Sequence, residues 1–311
     1  MAESVRVVER TFRGSPTLEG AGVRLRRMFG NTEVPLLDPF LLLDNFGTSD
    51  PADYVKGFPW HPHRGIETVT YMLSGTTEHE DSLGNKGAID SGDVQWMSAG
   101  SGIMHQEMPK RTDGLLSGYQ LWVNLPRERK MENPAYRGVT SQDIPVVAGE
   151  DGRRVKVIAG RYQSVEGPVR HIPVDPTYLD VQLPAGAEFR HAVPRGHTVF
   201  AQVMDGAGTF DPLGAPAIGE RRHPLYTSSI DPPHEEETRP GHTILYGDGD
   251  AVEVRAGAQG LRFLLVSGRP LHEPVSWYGP IVMNTRDEIL EAMGDLRRGT
   301  FIRAKTVLDE G

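Results

Sequence analysis

The chain has 311 residues, room for two domains of ordinary size, and its 42 acidic against 33 basic residues leave a net charge of −9. That balance, with no basic cluster longer than Arg24-Leu25-Arg26-Arg27, argues against a nucleic-acid partner. The absence of cysteine excludes disulfides, thiol catalysis and zinc–thiolate sites. The opening Met1-Ala2-Glu3-Ser4-Val5-Arg6 carries no apolar leader, and no run approaches the ~18 apolar residues of a membrane helix. A cytoplasmic chain without a membrane partner is therefore expected.

In chain order the pattern is one of strands. Val23 to Phe29 opens a β region, with Arg24 to Arg27 read as a solvated strand edge. Val34 to Phe46 holds an apolar run that suits either a strand or a short buried helix. Alternating segments from Glu67 to Val123 predict a first barrel, with a Gly-rich turn at Asp81 to Gly87. Pro126 to Tyr136 is polar and reads as a loop leaving that barrel. Gln142 to Val147 opens a further β region that Val155 to Gly160 continues, and a second β unit runs from Tyr178 to Leu183 onward. Thr198 to Gly208 repeats the pattern of Glu67 to Gly75, and Leu261 to Val266 answers Gln120 to Leu125. Near the end, Asn284 or Thr285 followed by Asp287, Glu288, Ile289, Leu290 and Met293 predicts a capped helix that Gly299 can close.

Two short clusters carry the chemistry. His61-Pro62-His63 and His105-Gln106-Glu107 each place two metal-ligand types with one spacer, and on a strand such pairs share a face. A single buried polar residue reads as a cap on the core. Two paired clusters on segments joined by hairpin signals read as coordination. Three imidazoles and a carboxylate without thiolate suit Fe(II), Mn, Ni, Cu or Zn. In the second unit His191 and His197 are too widely spaced to repeat the motif. His223, His234 and His242 fall in or beside a polar insert at 214–241, where His234 and Glu236 read as a cation cluster or, preferably, a solvated loop.

Gly57, His61, His63, Glu67 and Gly75 resemble the first cupin motif. Gly92, Ser98, Gly100, Gly102 and His105 resemble the second. More narrowly, His61-Pro62-His63-Arg64-Gly65-Ile66-Glu67-Thr68-Val69 is similar to the signature of the pirin family. Gly102 to Pro109, Asp38 to Asp44, Gln120 to Leu125 and Gly279 to Thr285 extend the likeness along nearly the whole chain.

The resemblance implies an all-β bicupin: two tandem cupin-type barrels with a short C-terminal helix. A metal-binding barrel is expected over 1–135. A second over 136–311, carrying the helix, is expected to lack the ligands. The resemblance also implies metal ligands at His61, His63, His105 and Glu107, with Fe(II) the first choice and Glu107 doubling as the catalytic base. Glu67 stands as either a ligand or an outer hydrogen-bonding partner, since a bulge at Gly65 would change which face it occupies.

The activity implied is a quercetin 2,3-dioxygenase-like oxidoreductase acting with O2 on a flavonol or another enolisable or phenolic small molecule. The alternative is a non-catalytic, iron-dependent redox sensor that binds a protein partner, a transcription factor or a metabolic enzyme. A third is an isomerase-type cupin using the metal only as a Lewis acid.

Overall fold

The computed structural model describes residues 4–33, 36–211 and 238–303. Apart from two single-turn 3-10 segments and one α-helix, its regular elements are strands, as the Gly and Pro content and the alternation predict. The chain divides into two compact units whose segments interleave in sequence.

The first unit takes residues 14–144, 168–175 and 269–311. Its larger sheet runs Ala135–Val139, Val94–Ser98, Ile66–Ser74, Leu116–Asn124, Phe40–Thr48, Val23–Phe29, Ser15–Glu19. A four-stranded sheet runs Phe58–His63, Ile103–Pro109, Thr77–Asp81, Lys86–Ile89. The two sheets face each other: Thr70 of the larger meets Glu107 of the smaller, and the His63 and Trp122 rings lie edge to face at 5.1 Å. Apolar clusters around Leu41, Ile66, Met97 and Ile103, and around Val23, Tyr54, Met72 and Leu116, fill this barrel.

Gly65 makes the corner between the strands Phe58–His63 and Ile66–Ser74. Its φ is +79°, and a Cβ there would stand 2.0 Å from the Val282 carbonyl oxygen, so a side chain has neither the conformation nor the room. The corner breaks the alternation between His63 and Glu67.

The second unit takes residues 1–13, 145–167 and 176–268. Its eight-stranded sheet curls around one apolar core. The residues that meet in this core alternate along the strands, Leu179, Val181 and Leu183, Val199, Ala201 and Val203, and Leu261, Phe263 and Leu265, while intervening residues such as Tyr178, Phe200 and Leu264 are buried on the other face. His191 of this unit packs against the rings of Tyr162 and Phe189, which belong to that core.

Several expectations shift in the structure. The apolar run before Phe46 is a strand, Phe40–Thr48, and two earlier strands, Val8–Arg13 and Ser15–Glu19, precede the predicted start at Val23. The strand bearing Arg24 to Arg27 is not an edge, because Ser15–Glu19 and Phe40–Thr48 pair on either side of it. The stretch expected as a loop over 126–136 is one with a 3-10 turn only up to 134, since Ala135 and Tyr136 begin the strand Ala135–Val139, and Lys130 within it is buried.

A single boundary near 135 does not describe the compact units either. Val8–Arg13 pairs with His242–Tyr246 in the second unit. Helix Arg286–Arg298 belongs to the first unit, where Ile289 and Ala292 pack with Ile281, Met283 and Phe301. Sequence order alone cannot show that the two termini cross over. The helix itself starts and stops as predicted: Thr285 and Glu288 form a capping box, and Gly299 closes it at φ +70°. No helix among the described residues is long and apolar enough to cross a membrane. The insert 214–241 lies outside the described residues up to 237, and so do His223, His234 and Glu236.

Candidate metal centre

The edge strand Phe58–His63 and its neighbour Ile103–Pro109 bring the two clusters together. His61 stands directly opposite His105 in the antiparallel register. The ring centroids of His61, His63 and His105 are 4.3 to 4.9 Å apart. Among the described residues they form a group whose ligand atoms all lie within 4.8 Å of one another. His63 and His105 are buried and His61 is half-buried.

Hydrogen bonds assign two of the tautomers. His61 Nδ1 lies 2.9 Å from the Pro59 carbonyl oxygen, and His63 Nδ1 lies 3.1 Å from that of Pro280. A carbonyl only accepts, so each Nδ1 carries the proton and each Nε2 offers a lone pair. These two Nε2 atoms are 3.1 Å apart. Two lone pairs at that distance repel unless a cation lies between them, and metal–nitrogen bonds of ~2.1 Å put neighbouring ligands ~3.0–3.4 Å apart. Neither ring nitrogen of His105 has a hydrogen-bond partner among the described residues although the ring is buried, a costly arrangement for a group that is not a ligand. Burial pushes the His63 and His105 imidazoles well below the usual histidine range, and the neighbouring rings add to it. Neutral imidazole is the form a metal needs. The donor set therefore fits one divalent ion.

Glu107 stands outside the nitrogen group. Its carboxylate is buried and sits 3.0 Å from the Thr70 hydroxyl. Thr70 is also 2.7 Å from the Gln120 side chain. A hydroxyl has one proton, so one contact must be received: with the Gln120 amide turned to present its N–H, Gln120 donates to Thr70 and Thr70 to Glu107.

Glu67 is placed elsewhere. Thr70 points into the barrel, so the odd-numbered residues of its strand point away, and the Glu67 carboxylate receives the Trp96 indole N–H at 3.0 Å on that opposite face. Burial raises its carboxyl to about 7, against the Trp96 hydrogen bond and the charges of Arg137 and Arg129.

His61, His63 and Glu107 reach a cleft of about 620 Å³. Phe46, Phe58, Trp122 and Trp277 give it aromatic walls, and Gln120, Asp44 and Arg27 give it a polar side. Thr70, Gln120, Asp44 and Arg27 stand directly opposite one another on successive strands. Arg27 pairs with both oxygens of Asp44 at 2.8 and 2.9 Å.

Comparison with known proteins follows the same lines. Residues 22–123 match the Pirin family model and residues 178–302 the model of the pirin C-terminal cupin domain. A Pseudomonas aeruginosa protein provisionally named quercetin 2,3-dioxygenase is 43% identical over 93% of this chain and 95% of its own. The chain belongs to the pirin family. A pirin-like protein of Caulobacter vibrioides is 42% identical over 96% of this chain and 99% of its own. The crystal structure of a quercetin 2,3-dioxygenase from Acinetobacter baumannii superposes with a TM-score of 0.83 at 32% identity, covering 96% of this chain and 99% of that one. The bicupin architecture is thus that of a pirin.

As a pirin, the chain also uses residues whose part the sequence did not disclose. Arg64, beside His63, is buried and donates to the Ser101 carbonyl, to Asp295 and to the Phe301 carbonyl at 2.7, 2.9 and 3.0 Å. Lys130 Nζ donates to Gly65 O, Asn124 Oδ1 and Val282 O at 2.7, 2.6 and 3.1 Å. Together these hold the histidine-bearing corner against the segment that ends in the helix. The sequence signals for this are the family-like blocks His61 to Val69, which holds Arg64 and Gly65, and Gly279 to Thr285, which holds Val282.

Proposed function

We propose that this pirin is a metal-dependent dioxygenase for a flavonol-like or related enolisable phenolic molecule, with His61, His63 and His105 as fixed ligands and Glu107 as ligand and base. The observation that carries the reading is the grouping of three imidazoles, of which His61 and His63 reach an aromatic-walled cleft that the Glu107 carboxylate also lines. A divalent ion held there, Fe(II) in first place, supplies a redox-active Lewis acid.

The chain's own residues do the rest. Phe46, Phe58, Trp122 and Trp277 offer faces and edges to a planar ring system. Glu107, outside the nitrogen group, takes the proton of a substrate hydroxyl. The Thr70 hydroxyl steadies the carboxylate as its charge changes. The paired Asp44 and Arg27 offer an acceptor and a donor to hydroxyls remote from the metal. The names carried by the Pseudomonas and Acinetobacter relatives support the same chemistry.

The test is oxygen uptake by anaerobically Fe(II)-loaded protein on addition of quercetin, with His105→Ala alongside. Catalytic uptake by the wild type and none by the variant is expected. No uptake despite one iron per chain would sink the dioxygenase reading. Binding of a protein partner in the Fe(II) and Fe(III) forms would then become the measurement, as the sensor alternative requires.

A further inference from the structure

His61 and His63 each have the ring nitrogen remote from the cluster tied to a backbone carbonyl, and His105 does not. Metal-binding imidazoles almost always donate that second N–H to a carboxylate, a carbonyl or water. Whatever serves His105 must lie inside the barrel.

The neighbour there is His79, from the adjacent strand Thr77–Asp81. Its ring centroid is 5.4 Å from that of His105, and its other side stacks on Tyr136 at 5.1 Å. His79 Nε2 lies 3.4 Å from Asp81 Oδ2, and its Nδ1 is buried without a partner. Asp81 is itself fixed, receiving the Leu83 and Asn85 backbone N–H groups and the Asn85 amide at 2.9, 3.1 and 2.7 Å. A carboxylate accepts, so His79 carries its proton on Nε2 and leaves Nδ1 as an acceptor.

Two further unpartnered groups share this interior. Gln95 stands opposite Thr70, which points at Glu107, and Thr68 is two residues from Thr70 on the same face. Among the described residues, the Thr68 hydroxyl and both amide atoms of Gln95 are buried without a hydrogen-bond partner. Orphaned polar groups gathered inside one barrel mark a place for ordered water, which takes about three hydrogen bonds when buried.

We propose that His79, steadied by Asp81, is the positioning residue for His105. One buried water receives the His105 Nδ1–H and donates to His79 Nδ1, and Thr68 or Gln95 completes its shell. This holds the His105 Nε2 lone pair toward His61 and His63. The consequence for metal affinity rests on the ligand reading above; the tautomer of His105 does not.

The experiment is 15N NMR of the full-length chain with labelled histidine, metal-free and titrated with Zn(II), with His105→Ala used to assign the resonances. His105 is expected in the Nδ1–H tautomer. His79→Phe, which keeps a ring against Tyr136 but removes the acceptor, should reduce this to a roughly even mixture and weaken Zn(II) binding tenfold or more. His79→Gln, which restores an acceptor, should recover most of both and guards against a variant that merely misfolds. An unchanged His105 tautomer in a folded His79→Phe protein, or an Nε2–H tautomer in the wild type, overturns the proposal. Failure of the wild type to take up Zn(II) would count against the ligand reading alone, since the tautomer is read without metal.

Discussion

The Thr70 hydroxyl lies 3.0 Å from Glu107 Oε1, joining the larger sheet to the smaller one beside the histidine cluster. The contact is the one hydrogen bond to the Glu107 carboxylate among those described. A hydrogen bond to a charged group contributes about 1.5–3 kcal/mol, which corresponds to roughly 10- to 100-fold in rate if it is strongest in the transition state. Thr70→Val should therefore lower kcat for quercetin-dependent oxygen uptake by at least about tenfold at unchanged metal content. Thr70→Ser should restore most of it. Equal kcat in the Val variant and the wild type would remove Thr70 from the reaction.

The ligand assignment makes its own demand. His61→Ala, His63→Ala and His105→Ala should each abolish metal binding, because one ring nitrogen from each of the three forms a single group. Glu107→Gln should keep the metal more weakly and lose turnover, since the carboxylate sits apart from that group. Metal analysis after dialysis decides this: full stoichiometry in any of the three alanine variants would remove that histidine from the ligand set.

How much of this could be read in the chain? His61, His63 and His105 could, because spacing by two on strands is local information and the structure brings all three together. The helix could too, since a capping box and a terminal glycine are written within a few residues. Glu67 could not be settled, because its face depends on whether Gly65 bends the chain, and the Val282 carbonyl that leaves no room for a side chain at that corner lies far along the sequence. The same holds for the Pro280 carbonyl that sets the His63 tautomer, and for Asp44 opposite Gln120 and Arg27. Cross-strand neighbours and crossed termini are properties of register and topology, which residue type does not encode by itself.

Arg64 and Asp295 form a buried pair at 2.9 Å, with side-chain exposures of 1% and 7%. Burial alone would raise the Asp295 carboxyl, but hydrogen bonds from Arg303 and Arg64 outweigh it and hold the group below the usual carboxylate range. Arg298 and Arg303 still reach Asp295 at 2.8 Å when Arg64 is removed, so the cost is below the ~3–5 kcal/mol of a buried charge left without compensation, about 1–3 kcal/mol for the donor lost to Ser101, Asp295 and Phe301. Arg64→Met should lower stability toward urea by about that much and weaken metal binding through the adjoining His63. Arg64→Lys should recover only part, as an ammonium cannot serve Ser101, Asp295 and Phe301 in the same fork. A urea midpoint within error of the wild type in the Met variant would contradict this.

Glu67 gives the clearest pH dependence. Its folded carboxyl titrates at about 7 because of burial, with Trp96, Arg137 and Arg129 opposing, whereas an unfolded glutamate titrates at about 4.3. Between these values the folded state holds a proton that the unfolded state has released. The stability this represents is fully present below pH ~4.3 and is lost as pH rises to about 7, on the order of 3 kcal/mol in all. Glu67→Gln keeps an acceptor for the Trp96 indole and removes the titration. The variant should match the wild type near pH 4.5 and exceed it above pH 7, with metal content unchanged, because the side chain lies on the face away from Thr70 and Glu107. Urea unfolding from pH 4.5 to 8.5 measures the difference. A difference that stays flat over that range would mean Glu67 titrates as an ordinary carboxylate, and loss of metal in the variant would return it to the site.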